Sequence, residues 1–486
     1  MTLQPLLEPG WVNAILPEII LSLGGMLLIL LDVFFPRAKG TLAPLTLVIF
    51  IAAAWAENLF VRGGIFFGGT YEVSALTMLF DLTFLLAGML ATLFAREYLE
   101  REGIEDGGFY GLLLWGTVGM MMMAKGLDLL IIVLGLEILS VCIFVLVGFH
   151  RRMPVSNEAS LKYFLMGAFS TGFILYGIAL FYGATASTNI RTMGQWFATN
   201  QATPLLTVAF VLLMAGLGFK LALAPFHPWA PDVYQGAPTP VAGWLSVAPK
   251  AATLIVLVRL FDAMNPILPQ VSWMSMVAAL AILSMIIGNA VAIVQRDLKR
   301  MLAYSGIAHV GYMTIAILTI RADSVAAVAV YAITYALMNI GAFGVISLLM
   351  KNQNDPHTLD DIAGLGFRRK FYGFALAICM FSLAGLPPTA GFISKFFIFK
   401  TAIESGHTMI ALVGILTSIV SVYYYLRVVY YLYMKEPADG YAVETVGGVF
   451  ATGALMISIV GILIIGMYPS PLFQAAGNAA RVFLQQ

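Results

Sequence analysis

Apolar runs of about 20 residues, separated by short polar links, recur along the whole chain, and a run of that length lets an α-helix cross a bilayer. This pattern is typical of a polytopic helical membrane protein. No link is long enough to fold as a soluble domain, so we expect a single membrane domain over residues 1–486. The runs predict an all-α protein with about 14 transmembrane helices, at 14–35, 41–61, 75–95, 109–124, 127–149, 159–182, 204–226, 239–262, 271–294, 300–320, 324–350, 370–402, 408–434 and 444–468.

Two of the predicted helices contain residues that interrupt a helix. Pro225 follows Lys220 in the seventh, and the Gly-Leu-Pro-Pro segment at 385–388 precedes Lys395 in the twelfth. Proline removes a helix hydrogen bond and breaks or kinks the helix. Paired interrupted helices at corresponding positions are typical of transporters built from inverted repeats. We therefore predict discontinuous helices 7 and 12 within two inverted five-helix repeats, at 109–262 and 271–434.

The basic residues are divided unevenly between the links, and this division predicts the orientation of a membrane protein. Odd-numbered links hold most of the lysine and arginine residues, whereas the even-numbered links hold only Arg62, Lys125, Arg191 and Arg321. We expect the odd links to face the cytoplasm. Both termini should then lie on the positive, periplasmic side of a cell inner membrane.

Composition excludes several classes of protein. The chain is 60% hydrophobic and 10% charged, with a mean hydropathy of +0.92, whereas soluble domains carry about 25% charged residues. A net charge of +1 gives no reason to expect nucleic acid as a partner. Cys142 and Cys379 are isolated from each other and from any histidine cluster. The sequence therefore predicts no iron–sulfur or metal site on this chain.

Four charged residues lie where a membrane helix is expected to be apolar: Glu137, Lys220, Lys250 and Lys395. A charge at the centre of a bilayer costs about 2.5 to 3.5 kcal/mol on insertion scales, so such residues face a protein interior or a wet path and mark ion or proton movement. Glu137 and Lys220 are each best explained by the other, as a buried carboxylate–lysine pair. A hydroxyl or backbone partner for Glu137 is the alternative.

Three further residues are candidates with stronger alternatives. Lys162 follows Glu158 by one helix turn at the start of the sixth predicted span, where the pair could function or simply reach the membrane interface. His309 and His227 can carry protons near neutral pH. A single histidine on a helix is also often a hydrogen-bonded core residue. Arg259 and Arg427, near span ends, are interpreted as interface anchors.

At these residues the chain resembles a known family, the antiporter-like membrane subunits of the proton-pumping NADH:quinone oxidoreductase, respiratory complex I. The likeness is greatest to the N-type members. The matching segments are GLEILS with Glu137, EASLKYF with Lys162, GFKLALAPFHPWAPDVYQGAPTPV with Lys220 and His227, the downstream Lys250, DLKRMLAYSGIAHVGYM with His309, and SLAGLPPTAGFISKF with Lys395.

The resemblance implies a role for each of these positions. Glu137 and Lys220 correspond to a coupled glutamate–lysine pair, Lys250 to a central connecting lysine, and Lys395 to the lysine of a second half-channel. It implies a proton-translocating subunit without a cofactor, with FMN, iron–sulfur clusters and quinone on other subunits. The expected partners are M-type and small K-, J- and A-type membrane subunits, within the lipid bilayer.

Two other functions remain open at this point. The chain could be a subunit of a multi-subunit cation/proton antiporter, to which the family is related. It could also be a structural membrane spacer, although a spacer has no reason to keep lysines and a glutamate inside apolar helices.

Overall fold

The computed structural model of the chain describes residues 10–349, 357–437, 445 and 447–485. Nearly all of them are helical, and the only sheet among them is a two-stranded antiparallel hairpin. The predicted all-α class is confirmed. The predicted span ends at 350 and 444, and the basic residue Lys351, lie outside the described residues.

The N-terminal part of the chain forms helices α1 to α8 and the hairpin. The bounds are α1 Trp11–Ala14, α2 Leu16–Phe34, α3 Leu42–Leu59, β1 Gly64–Phe66, β2 Tyr71–Val73, α4 Ala75–Glu102, α5 Gly107–Lys125, α6 Leu129–Val147, α7 Pro154–Thr185 and α8 Ile190–Thr199. A 3₁₀ turn, Pro36–Thr41, precedes α3.

The central part contains α9 to α16. The bounds are α9 Pro204–Leu221, α10 Trp229–Gly236, α11 Thr239–Leu245, α12 Ala248–Met264, α13 Trp273–Val294, α14 Leu298–Ile317, α15 Ala322–Tyr335 and α16 Gly341–Ser347. A π-helical segment, Ala336–Ile340, joins α15 to α16, and a 3₁₀ turn, Leu268–Gln270, precedes α13.

The C-terminal part contains α17 to α22. The bounds are α17 Leu365–Arg368, α18 Lys370–Ala384, α19 Ala390–Glu404, α20 Thr408–Tyr433, α21 Val449–Met467 and α22 Ser470–Leu484, with a 3₁₀ turn at Leu359–Ile362. Helix α22 packs against α15 and α4. The sequence analysis predicted neither α22, nor α8, nor the hairpin.

Twelve helical segments of the described chain are long and apolar enough to cross a membrane, by length and composition. The two remaining predicted spans correspond to α14 and to the pair α18 and α19. The count of 14 and the inverted repeats stay predictions. Helices α11, α12, α15 and α16 are buried on nearly all sides, whereas α7, α13 and α20 each have an exposed apolar face. The core therefore lies around the central helices.

Both predicted interruptions are present. Helix α9 ends at Leu221, followed by Ala222 at φ +58°, and α10 starts only at Trp229. Helix α18 ends at Ala384 before Gly385 at φ +83°, a left-handed conformation that glycine adopts without steric cost. The eighth predicted span is also divided, since α11 and α12 are separated at Ser246 and Val247. That interruption was not predicted.

The links contact one another in two groups that follow their odd or even position. Among odd links, the Lys39 ammonium donates to the Glu105 carbonyl, and Asp297 pairs with Thr358 in a β-bridge. Among even links, Asn189 donates to the Gly69 carbonyl. Asp297, in one of these odd links, is buried, and burial raises the pKa of its carboxyl even though the backbone N–H of Arg300 donates to that carboxyl. Each of these contacts joins two links of the same parity, and the alternation of the helices stays a prediction.

Candidate functional site

Three lysines lie inside the helix bundle, each beside a helix interruption. Lys220 is in the last turn of α9, Lys250 in the first turn of α12 and Lys395 near the start of α19. Their exposures are 8%, 1% and 5%. No carboxylate of the described chain lies within 4.0 Å of any of these three ammonium groups. These three interior amines therefore have no direct counter-ion among the described residues, and the buried Lys299, whose ammonium donates to the Ala237 carbonyl, shares that feature.

Lys220 contacts α6, the helix that carries Glu137, but not Glu137 itself. Its ammonium donates to Ser140 Oγ at 2.8 Å and lies 5.9 Å from the centre of the Phe144 ring. Glu137 instead accepts a hydrogen bond of 2.7 Å from Thr171 on α7. Glu137 and Ser140 are one helix turn apart and share a face of α6. The direct ion pair expected from the sequence is absent here, because each charge is satisfied by a hydroxyl.

Among the residues that the structure describes, Lys250 has no hydrogen-bond partner. Its Nζ is buried and unsatisfied, as is the neighbouring Tyr335 hydroxyl. A Cβ added to Gly306 would lie 3.0 Å from both atoms, so the three groups meet at one point. The first turn of a helix offers free N–H donors rather than free carbonyl acceptors. The backbone of α12 therefore cannot satisfy this ammonium.

His309 connects a row of tyrosines between Lys250 and Lys395. Its Nδ1 is 2.7 Å from the Tyr331 hydroxyl and its Nε2 is 3.0 Å from the Tyr425 hydroxyl. Its ring stacks on Tyr335 at 5.0 Å between centroids. Ser305 extends the row through a hydrogen bond with Tyr425. Each of these groups can both donate and accept a proton.

Lys395 lies against the end of the broken helix. Its ammonium donates to the carbonyls of Leu383 and Ala384, at 2.9 and 3.1 Å, and to Ser418 Oγ at 3.0 Å. The last carbonyls of a helix have no intrahelical partner and carry partial negative charge. A cavity of about 490 Å³, lined largely by phenylalanine and isoleucine, adjoins this lysine.

His227 and Lys162, the other two residues predicted from the sequence, lie apart from the row between Lys250 and Lys395. His227 is half-buried in the interruption after α9. Its Nδ1 has no hydrogen-bond partner within the described part of the chain, and its ring centroid is 6.4 Å from that of Tyr304. Lys162 is 44% exposed on α7, with ion pairs of 2.7 Å to Glu158 and 3.2 Å to Asp232. The structure thus places Lys162 at the surface of the chain.

The sequence analysis missed a buried cluster at the even-link end. We call it the Lys125 cluster: Lys125 Nζ lies 2.9 Å from Glu18, 3.3 Å from Glu57 and 2.7 Å from Asp81. The Tyr71 hydroxyl donates to Glu18 at 2.7 Å. A signal was available, because Asp81 is the only charged residue between Glu72 and Arg96.

Arg259 is a correction to the sequence analysis, which interpreted it as an interface anchor. It is 3% exposed and donates to Glu72 and to the Ala124 carbonyl, both at 2.9 Å. Arg427 donates to the carbonyls of Ile293 and Gln295 and so satisfies the end of α13. Across the residues that the structure describes, no group of three or more histidine, cysteine or acidic side chains is arranged to hold a metal ion.

The fold and these buried amines define a class, the polytopic membrane proteins whose interior carries ionisable groups, which is where ion and proton pathways are found. A family model described as NADH:quinone oxidoreductase/Mrp antiporter, transmembrane, matches residues 126–421. The NADH-quinone oxidoreductase subunit N of Trichlorobacter lovleyi is 42% identical, over 97% of both chains. Subunit N 2 of Rhizobium meliloti is 37% identical, over 99% of both. The chain belongs to this family and, within it, to the N-type subunits of NADH-quinone oxidoreductase.

Solved structures show the same fold. A chain of respiratory complex I from Thermus thermophilus superposes with a TM-score of 0.80 at 33% identity, covering 96% of this chain and 99% of that one. A chain of the Mrp complex from Dietzia gives a TM-score of 0.81, covering 98% of this chain and 99% of that one. At 16% identity this second likeness concerns the fold alone.

Proposed function

We propose that this chain translocates protons across the membrane as a subunit of an NADH:quinone oxidoreductase. This proposal rests on the burial of Lys220, Lys250 and Lys395 without a carboxylate within 4.0 Å among the described residues. An amine held in this way costs free energy in either protonation state, and a protein keeps it where protons have to be held and released. The N-type relatives support the assignment to this enzyme.

The proposed path follows the residues already described. Protons pass between Lys250 and Lys395 through His309 and its tyrosines, with water bridging the gaps between hydroxyls. Glu137 and Lys220 act at the other end. Ser140 accepts from Lys220 and shares a helix face with Glu137. Its hydroxyl donates to the Leu136 carbonyl, so it relays between the two charges by rotating away from that carbonyl. His227 lies on the approach to Lys220, and Lys162 takes part from the surface through Asp232.

We also propose how the chain is arranged in the membrane and which subunits surround it. Residues 1–486 form one membrane domain with inverted repeats at 109–262 and 271–434, each carrying one of the interruptions beside Lys220 and Lys395. The chain resides in a cell inner membrane, with both termini on the periplasmic side. It has no redox centre; FMN, iron–sulfur clusters and quinone are bound by other subunits. Its neighbours are M-type and small K-, J- and A-type membrane subunits.

A cation/proton antiporter subunit is the second candidate, supported by the matching family model, whose description includes the Mrp antiporter. The identity of the N-type relatives favours the first candidate. Purification in mild detergent separates the two. Copurifying flavin and iron–sulfur subunits support the proposal, and copurifying small antiporter subunits alone would refute it.

A double-mutant cycle tests the coupling at Glu137 and Lys220. We expect Glu137→Gln and Lys220→Met each to slow NADH:quinone reductase activity in membranes, and the double variant to lose less than the sum of the two effects. Assembly is checked on a blue-native gel. Strictly additive losses would contradict the coupling, and full activity of both single variants would contradict the proposed path.

A further inference from the structure

The Lys125 cluster brings four charged groups together from four different helices. Glu18 comes from α2, Glu57 from α3, Asp81 from α4 and Lys125 from α5. The strand β2 adds the Tyr71 hydroxyl. Lys125, Glu57 and Asp81 have fully buried side chains, and Glu18 is only 8% exposed. The ion pairs of Lys125 are therefore all formed within the cluster.

The charges of the cluster do not balance. With all four groups ionised, three carboxylates surround one ammonium and leave a net charge of −2. A buried charge without a partner is strongly unfavourable, so the group becomes neutral instead. Carboxylates that share one site cannot all ionise, and they titrate as a unit.

The orphaned oxygen atoms support the same conclusion. Glu18 Oε2, Glu57 Oε1 and Asp81 Oδ1 are buried and have no hydrogen-bond partner. Buried acceptors are normally satisfied. No hydroxyl, amide or guanidinium approaches these three atoms within hydrogen-bond reach among the described residues. A proton on a carboxyl oxygen supplies the missing donor between two of them.

We propose that the Lys125 cluster is a proton-binding site, in which at least one of the three carboxyls holds an exchangeable proton. The proton comes from the aqueous phase at the even-link end and returns to it. Proton binding stands by itself, whereas its use in transport rests on the proposed function. The cluster lies outside the row of Lys220, Lys250 and Lys395 and belongs to helices α2 to α5.

The surroundings of the cluster offer a route to water. On β2, Tyr71 points to the cluster, and the next residue, Glu72, binds Arg259 on the other side. Arg259 also donates to the carbonyl of Ala124, next to Lys125. A cavity of about 300 Å³, with a polar lining that includes Glu72, Arg191, Arg259 and Asp262, adjoins this pair.

Infrared difference spectroscopy of the assembled complex tests the proposal. A protonated carboxyl absorbs as a C=O stretch that a carboxylate lacks, and the band shifts in D₂O if its proton exchanges. We expect such a band at neutral pH, reduced in Glu57→Gln and in Asp81→Asn. Glu100→Gln, at an exposed carboxylate on the opposite end, is the control and should leave the band intact.

Lys125→Met adds a second arm. Without the ammonium, all three carboxyls should be protonated at neutral pH, so the band should grow. An unchanged spectrum in all three cluster variants would overturn the proposal and leave the cluster as a fixed ion-pair network. Loss of the band on adding Na⁺ at constant pH would support an exchangeable carboxyl proton, since the cation would then have displaced it. Because the spectrum does not depend on pumping, failure here is distinct from failure of the proposed function.

Discussion

The position of each buried lysine on its helix decides which partners it finds. Lys220 is in a last turn and contacts a hydroxyl, while Lys395 faces the free carbonyls at the end of α18. Lys250 is in a first turn, where the backbone offers donors only, and no described residue supplies it with an acceptor. The three amines therefore differ in their surroundings, and Lys250 has the fewest hydrogen bonds of the three among the described residues.

Removing the hydroxyl that contacts Lys220 should impair function. In Ser140→Ala the ammonium loses its acceptor at 2.8 Å, and a hydrogen bond to a charged group is worth roughly 1.5–3 kcal/mol. We expect proton pumping by the reconstituted complex to fall by roughly tenfold or more. Ser458→Ala is the matched control, since its buried hydroxyl has no hydrogen-bond partner in the ranges that the structure describes. Equal pumping by both variants would contradict the role of Ser140.

A methyl group between Lys250 and Tyr335 should also be harmful. In Gly306→Ala the new Cβ lies 3.0 Å from the Lys250 amine and the Tyr335 hydroxyl, closer than ordinary packing allows. We expect reduced quinone reductase activity in membranes with assembly preserved. Gly183→Ala, where a Cβ meets nothing within 4 Å, should behave as the wild type. Wild-type activity of Gly306→Ala would show that protons do not pass this point.

At the scale of elements, the interruptions could be predicted only in part. Pro225 and the segment at 385–388 indicated the ends of α9 and α18, because proline and glycine act locally. Pro249, in the first turn of α12, is a typical helix start and could have indicated the division before Lys250. The π-helical segment at Ala336–Ile340 has no such residue. It follows from packing, with Asn339 donating to Ser246 at 2.6 Å.

The end of α18 gives a test of the interruption. Gly385→Ala forces a positive φ on alanine, at a cost of roughly 1–2 kcal/mol, and places a Cβ 3.0 Å from the Lys395 side chain. We expect a loss of pumping, measured in proteoliposomes. Gly406→Ala carries the same backbone cost at φ +84° with nothing within 4 Å, and should pump normally. Similar losses in both variants would attribute the effect to strain alone.

For the molecule as a whole, the sequence predicted the all-α membrane class but not the Lys125 cluster. Its members come from four helices and meet only when those helices pack, which local patterns cannot indicate. The ion pair of Glu137 with Lys220 was likewise a prediction from burial alone. The intervening hydroxyls of Ser140 and Thr171 depend on how α6, α7 and α9 pack.

Reporter fusions test the orientation. We expect a reporter at the C-terminus, or inserted at the exposed Asn200 in an even link, to respond from the periplasmic side. A reporter in the link from Lys351 to Arg369 should respond from the cytoplasm, because basic residues gather in the odd links. If the reporters at Asn200 and in the Lys351 link responded from the same side of the membrane, the predicted alternation of links would be wrong.

In the proposed mechanism, protons pass through the row of buried amines formed by Lys220, Lys250 and Lys395. The most direct measurement is the number of protons pumped per NADH oxidised by the complex in proteoliposomes with Lys250→Met, which keeps an unbranched side chain one atom shorter and removes the amine. We predict a lower ratio, with Lys39→Met, an exposed lysine at the odd-link end, unchanged. A wild-type ratio of protons pumped per NADH in Lys250→Met, with the complex fully assembled, would contradict a proton path through these amines.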